Sequence, residues 1–255
     1  MFDNKAFLIT GASSGLGQAL AIKLANKNAK MALMARRLAG LEETASHCTP
    51  RPLLISGDIT SESDCRTAID HTIEQFGRLD YLVLNAGISM WSHFEELSDL
   101  SAIHQLMQTN YIGAVNCAYY ALPHLKKTNG MIVVISSIQG KIGVPYHTGY
   151  AASKHALEGF FNSLRIELNK TVDILIASPG WIQGTELKQH ALGRQQRNHT
   201  PAKHAIPLET CCDEIISAMI QRKRECVIPK KYRWVPWLKW LAPALLDDLI
   251  CKKMR

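Results

Sequence analysis

Short runs of β-branched and aliphatic residues alternate along the chain with longer segments whose apolar residues recur at helical spacing. The runs at 6–10, 30–35, 52–56, 81–84, 131–136, 173–177 and 226–228 are almost continuously apolar, which predicts strands buried on both faces. Between them the spacing is helical, as in Leu16, Leu20, Ile22 and Leu24 after the first run and Leu106, Tyr111, Val115, Ala118 and Leu122 before the fifth. Strand and helix alternating in this way predict an α/β fold: a Rossmann-type doubly wound sheet of about seven parallel strands with helices on both faces. No Pro/Gly/Ser-rich linker and no internal repeat divides the pattern. Residues 1–228 are therefore expected to form one domain, with 229–255 as a C-terminal extension of it. The segment at 185–207 is long, polar and weak in either period, as expected of a mobile lid.

The junction after the first strand carries Thr10, Gly11, Ala12, Ser13, Ser14, Gly15, Leu16 and Gly17. Glycines there let a diphosphate approach the backbone, and the opening helix offers unpaired N–H groups and a favourable dipole. The spacing G-x-x-x-G-x-G differs from the commoner G-x-G-x-x-G, so the position after a first strand carries much of the inference. At the end of the second strand a carboxylate would hold a ribose 2′-hydroxyl, but the chain has Ala35, Arg36 and Arg37. Two guanidiniums attract a 2′-phosphate, which predicts NADP(H) as cofactor.

Chemistry enters with Tyr150 and Lys154, four apart and so on one helix face. A neighbouring ammonium is expected to lower the phenol pKa toward the range useful for proton transfer. Ser137 follows the fifth strand, at the sheet edge where ligands of such folds bind.

As a set, these residues resemble the short-chain dehydrogenase/reductase family in its single-domain form. The resemblance runs from about Lys5 to Ile228 and rests on TGASSGLG at 10–17, Asp58, Asn85-Ala86-Gly87, Asn110, Ser137, the Tyr150/Lys154 pair and Pro179-Gly180. It implies an oxidoreductase that moves a hydride between NADP(H) and a carbonyl or secondary alcohol, with 1–228 as the dinucleotide-binding catalytic domain. Tyr150 would be the general acid or base, and Ser137 would hold the substrate oxygen. Lys154 would hold the nicotinamide ribose, and Asn110 would support a water linking Lys154 to solvent. The resemblance places the cofactor against Gly11, Ser13, Ser14, Gly15, Leu16, Gly17, Arg36, Arg37, Asp58, Ile59, Asn85, Ala86, Gly87, Tyr150, Lys154, Pro179, Gly180 and Ile182. Two positions depart from the family pattern. Leu84 stands where a second Asn is frequent, and Gly184 stands where a Thr would meet the nicotinamide amide, with Thr185 one place later. Either Gly184 permits a one-residue bulge, or that contact is made differently.

Loops at the same sheet edge nominate the substrate side: Met90, Trp91 and Phe94, then Ile138, Gln139 and Ile142, then His147 and Trp181. Their apolar and aromatic character points to a lipophilic substrate. His147 suits either the pocket or a surface loop. Arg194, Arg197 and Lys203 could meet an acidic substrate or lie in a solvated loop. The ten histidines are dispersed with no metal-ligand spacing, so no metal is expected.

Charge alters the picture only at the end of the chain. The formal net charge is +7, yet residues 1–221 hold 19 basic and 19 acidic residues while 222–255 hold 10 and 3. Trp234, Trp237 and Trp240 share that tail, with Leu238, Leu241, Leu245 and Leu249 at helical spacing interrupted by Pro236 and Pro243. This stripe suits peripheral membrane contact through 230–255, or cover for the substrate pocket or a subunit interface. No nucleic-acid reader accompanies the charge. Seven irregularly spaced cysteines and the absence of a leader or spanning segment suggest a cytoplasmic protein, with peripheral membrane association as the alternative. The resemblance adds a homodimer or homotetramer. The alternatives are a membrane-associated reductase of a lipid intermediate and a non-catalytic NADP(H)-binding sensor or scaffold.

Overall fold

Each strand is a short aliphatic run whose alternate side chains enter two different cores. In the computed structural model, which describes residues 2–185, 187, 191–193 and 205–254, the strands are β1 (Ala6–Thr10), β2 (Lys30–Ala35), β3 (Leu53–Ser56), β4 (Tyr81–Leu84), β5 (Met131–Ile135), β6 (Asp173–Pro179) and β7 (Glu225–Ile228). They form one parallel sheet in the order β3-β2-β1-β4-β5-β6-β7, the doubly wound arrangement that the sequence predicts. β6 runs two residues past its apolar run because Pro179 pairs with Ile228. The polar Ser178 remains buried there, with its hydroxyl satisfied at 3.0 Å by Glu158.

Helices α1 (Gly15–Ala25), α2 (Leu38–Ser46) and α7 (Leu208–Ile220) cover one face; Leu20, Leu24, Leu41, Ile215 and Met219 pack there with Phe7, Ile9, Leu33 and Val133. Helices α3 (Glu62–Phe76), α5 (Gly113–Thr128) and α6 (Thr148–Glu167) cover the other, where Ile69, Ala118, Leu125, Leu157 and Phe161 meet Leu8, Leu82, Ile132 and Val134. Phe7 and Ile9 thus face one layer and Leu8 the other, the period-two alternation of a strand. Helix α4 (Ser101–Met107) leads into α5 through a π turn at Gln108–Ile112. After β7, a 3₁₀ turn at Lys230–Trp234 leads into α8 (Val235–Leu241) and α9 (Pro243–Met254).

The chain reverses its order of strand addition between β1 and β4, which opens a crevice at the carboxyl ends of the strands. Part of the predicted lid borders this edge: Leu192 bridges to Met90 and Ile206 to Ile182. Arg194, Arg197 and Lys203 lie outside the described residues.

At the opposite edge Asp80 ties β4 to β1. Its buried carboxylate accepts hydrogen bonds from the Ala6 N–H at 3.0 Å, from Lys5 at 3.1 Å and from two Arg78 nitrogens at 2.7 and 2.6 Å. Burial pushes this carboxyl up, but Arg78, Ala6 and Lys5 together outweigh it and hold the group below its ordinary value. Asp80→Ala should lower stability by about 2 kcal/mol, read as a reduced urea midpoint. In the wild type the Asp80 contribution is complete above the ordinary Asp pKa and disappears as pH falls through the depressed folded value. An unchanged midpoint would contradict this role.

Candidate active site

The glycine turn is built by close approach. Gly11 and Gly15 have φ of +65° and +55°, which favour glycine. A Cβ on Gly11 would lie 2.7 Å from Ala86 Cα, and one on Gly17 would lie 2.3 Å from the Gly11 carbonyl oxygen. Thr10 and Asn85 lock the turn to β4: Asn85 donates to the carbonyls of Thr10 and Gly11 at 3.1 and 3.0 Å, and the Thr10 hydroxyl receives the Asn85 and Ala86 N–H groups. Ser14 caps α1 without a side-chain hydrogen bond, so no side chain of the cap satisfies the first-turn N–H groups. Arg36 and Arg37 are exposed just past β2, and among the described residues neither guanidinium has an ion-pair partner. These residues rim one end of a cleft of about 530 Å³, lined further along by Asp58, Ile59, Ala86, Gly87 and Ile182.

The other end is organised by one face of α6. Tyr150, Lys154 and Glu158 follow one another at i, i+4 and i+8, and all three are buried. Glu158 Oε1 accepts the hydroxyls of Ser136 and Ser178 at 2.7 and 3.0 Å, while Oε2 accepts Lys141 Nζ at 3.0 Å. One carboxylate therefore joins α6 to the strand ends that carry Ser137 and Pro179. Gly140 is required beside it, since a Cβ there would come within 2.6 Å of Oε1. Lys154 Nζ donates to the Ile135 carbonyl at 2.9 Å and lies 5.7 Å from the Tyr150 ring centroid. Burial lowers Lys154 to about 8, opposed by the Glu158 charge. Burial raises Tyr150 to about 12, opposed by a hydrogen bond with Ser137. The expected lowering of the phenol by Lys154 is not found: burial dominates at Tyr150, and the group that opposes it is Ser137.

Ser137 lines the end wall, and Asn110 is buried behind it. The Ser137 hydroxyl accepts the Gln139 N–H at 3.2 Å and donates to the Pro179 carbonyl at 3.4 Å. Asn110, in the π turn, uses both ends of its amide on the main chain of Ile88, at 2.8 and 2.9 Å, and also donates to Ser153 Oγ at 2.9 Å. Its side chain therefore fixes the loop after β4 against α6; such π turns recur at functional sites.

This arrangement sets a phenol, a hydroxyl and a buried amine in one cleft with a glycine-rich helix start. A family model described as short chain dehydrogenase matches residues 5–196. The chain belongs to that family. An 11-beta-hydroxysteroid dehydrogenase-like 4A of Arabidopsis thaliana is 35% identical over 251 residues, covering 96% of this chain and 83% of the relative. Among solved structures, an alcohol dehydrogenase of the archaeon Thermococcus sibiricus, complexed with 5-hydroxy-NADP, has a TM-score of 0.78 at 25% identity, covering 89% of this chain and 97% of that one. A short-chain dehydrogenase/reductase of Burkholderia phymatum in complex with NAD superposes with a TM-score of 0.85 at 21% identity over 96% of this chain and 95% of that one, a likeness of fold.

This short-chain dehydrogenase brings Ser137, Tyr150, Lys154, Pro179 and Gly180 together with the glycine turn in one cleft. Gly17 lies behind the turn, where α1 approaches the Gly11 carbonyl and the Asn85 side chain. Gly184 has φ +71°, a conformation that favours glycine, and Thr185 lines the cleft near Gly15. On the nominated substrate side, Gln139 and Trp181 line the cleft and Phe94 is exposed away from it. Met90 is fully buried and its sulfur takes the Gly149 N–H at 3.2 Å, so it supports the wall from behind. Trp91, His147 and Trp181 form an aromatic cluster with centroid separations of 4.8 to 6.2 Å, and His147 reaches Tyr150 at 6.2 Å. Tyr146, which sequence reasoning missed, stacks on Trp91 at 5.2 Å. Its only signal was an aromatic placed four residues before Tyr150.

Glu158 was also missed. Glu158→Ala should cost about 3 kcal/mol, because Ser136 and Ser178 lose their acceptor and Lys141 loses a buried partner. Glu158→Gln keeps an acceptor and should cost about half as much. Equal thermal denaturation midpoints for all three proteins would contradict the clamp.

Proposed function

We propose that this oxidoreductase is an NADP(H)-dependent reductase of a lipophilic ketone or aldehyde, able to run in reverse as an alcohol dehydrogenase. The observation that carries the proposal is a single cleft with Arg36 and Arg37 at one end and Ser137, Tyr150 and Lys154 at the other. The residues present fit a nicotinamide dinucleotide. The glycines form a cradle that a Cβ would close, the first turn of α1 lacks a side-chain cap, and no carboxylate follows β2. NADP(H), when bound, supplies or accepts the hydride at the substrate carbon.

The protein supplies position and the proton. Ser137 Oγ and the Tyr150 hydroxyl hold the carbonyl oxygen. As that oxygen gains negative charge, Tyr150 gives it a proton, and the product is the alcohol. The Lys154 ammonium, charged below about pH 8, stabilises the tyrosinate left behind. Asn110 acts as a positioning residue through Ile88. In the oxidation direction Tyr150 takes the alcohol proton, so that rate rises with pH. Trp181 on the cleft, backed by the rings of Trp91 and His147, favours a bulky apolar substrate, in keeping with the hydroxysteroid dehydrogenase names of several relatives. Seven free cysteines, six of them buried, suit a reducing cytoplasm. The proposal includes a homodimer or homotetramer, using the face where Ile112, Tyr119 and Ile166 are exposed.

Tyr150→Phe should reduce turnover about a thousandfold, with NADPH affinity nearly unchanged by fluorescence titration. Persistent turnover would remove Tyr150 from its role. Arg36→Ala and Arg37→Ala should each weaken NADPH about tenfold or more while NADH changes little. Equal wild-type affinities for NADPH and NADH would overturn the cofactor assignment.

A further inference from the structure

The C-terminal helices are apolar on two sides. On the inner side Tyr232, Val235, Leu238, Leu246 and Ile250 pack with Ile138, Ile142, Val144 and Val227. This accounts for the tail's attachment to the fold. On the outer side Trp234, Trp237, Trp240, Leu241, Leu245 and Leu249 remain between 43% and 77% exposed. Single exposed apolar residues are ordinary, but three tryptophans and three leucines along one short stretch form a continuous ridge.

Basic residues flank the ridge. Trp234 and Trp237 border a shallow cleft of about 1000 Å³ whose rim includes Lys230, Lys231, Arg233 and Lys239. The carboxylates facing that cleft, Glu158 and Glu225, are both engaged by Lys141, at 3.0 and 3.5 Å. Lys230 also pairs with Glu214 at 3.4 Å, while Lys231 and Arg233 have no carboxylate partner among the described residues. The chain's whole positive excess lies in this part of the sequence.

We infer that the ridge is a docking surface for an anionic lipid bilayer. Tryptophan is suited to the headgroup boundary, with its ring in the apolar layer and its N–H at the wet side. Lysine and arginine reach from beside it to lipid phosphates. A second copy of the chain fits the surface poorly. A two-fold contact through the ridge would bring together the basic rims of both copies, and the exposed carboxylates of α9, Asp247 and Asp248, number half of Lys230, Lys231, Arg233 and Lys239. No helix among the described residues is long and apolar enough to cross a membrane, so the contact lies in the plane of the interface.

The inference does not depend on the reductase proposal, although the position bears on it. Tyr232 lies against Gly180, where a Cβ would come within 2.7 Å of the ring, and Ile138 and Ile142 under the tail follow Ser137 in the chain. A docked protein would hold the substrate end of its cleft close to the lipid.

Sedimentation of the full-length protein with vesicles tests the surface. The wild type should bind vesicles of mixed phosphatidylglycerol and phosphatidylcholine, bind phosphatidylcholine alone far less, and be released by salt. The double variant Trp237→Ala/Trp240→Ala should lose at least about tenfold in partitioning. Lys231→Ala should lose about fivefold on anionic vesicles. All three positions lie on the outer surface, and unchanged circular dichroism and thermal midpoints would establish that the variants are folded. Equal binding by wild type and the double tryptophan variant would overturn the proposal. So would a wild-type oligomer that dissociates in the double variant while neither protein binds vesicles, since that outcome assigns the ridge to a second copy.

Discussion

Burial of three ionisable side chains on one face of α6 is the constraint on which the site depends. Tyr150, Lys154 and Glu158 could reach solvent if the helix rotated, and desolvation alone would favour that. They stay inside because each has a partner on the sheet edge: Ser137 for Tyr150, the Ile135 carbonyl for Lys154, and Ser136, Ser178 and Lys141 for Glu158. The same contacts fix the distance from the phenol to the ends of β5 and β6. Stability and positioning therefore come from one set of hydrogen bonds.

The cleft needs a second fixed wall, and β1 with β4 provides it. Thr10 and Asn85 lock the glycine turn across the point where the sheet reverses its order, and Asn110 attaches the following loop to α6 through Ile88. Helix start and helix face are thereby held on opposite sides of one crevice. The substrate side is less tightly specified by hydrogen bonds. There, Trp181 lines the cleft and is held from behind by ring contacts with Trp91 and His147, which in turn meet Tyr146 and Tyr150.

Legibility in the sequence followed the same division. The strands could be read because a parallel sheet covered on both faces requires nearly unbroken aliphatic runs. The Tyr150/Lys154 pair and the glycine turn could be read because their chemistry depends on local spacing. Glu158 could not: a glutamate in a helix usually faces water, and only Ser136, Ser178 and Lys141, distant in sequence, make it a buried clamp. Met90 reads as a pocket residue from its place after β4, but its sulfur is buried under Gly149. Pro236 and Pro243 looked like interruptions in the tail, yet they sit at the first turns of α8 and α9, where proline is favoured. The tail's apolar residues read as one stripe because their division into a packed side and an exposed side depends on Ile138, Ile142, Val144 and Val227, all distant in sequence.

If the buried ladder governs proton transfer, the charge on Lys154 should be visible in the kinetics. The most direct measurement is the pH dependence of kcat/KM for NADPH during carbonyl reduction, which reports ionisations of the free enzyme. It should fall as pH rises through about 8, where Lys154 loses its proton. In Glu158→Gln the fall should move to lower pH, because the carboxylate that favours the ammonium has been removed. A profile without that fall, or one that Glu158→Gln leaves in place, would contradict the ladder as the origin of the chemistry.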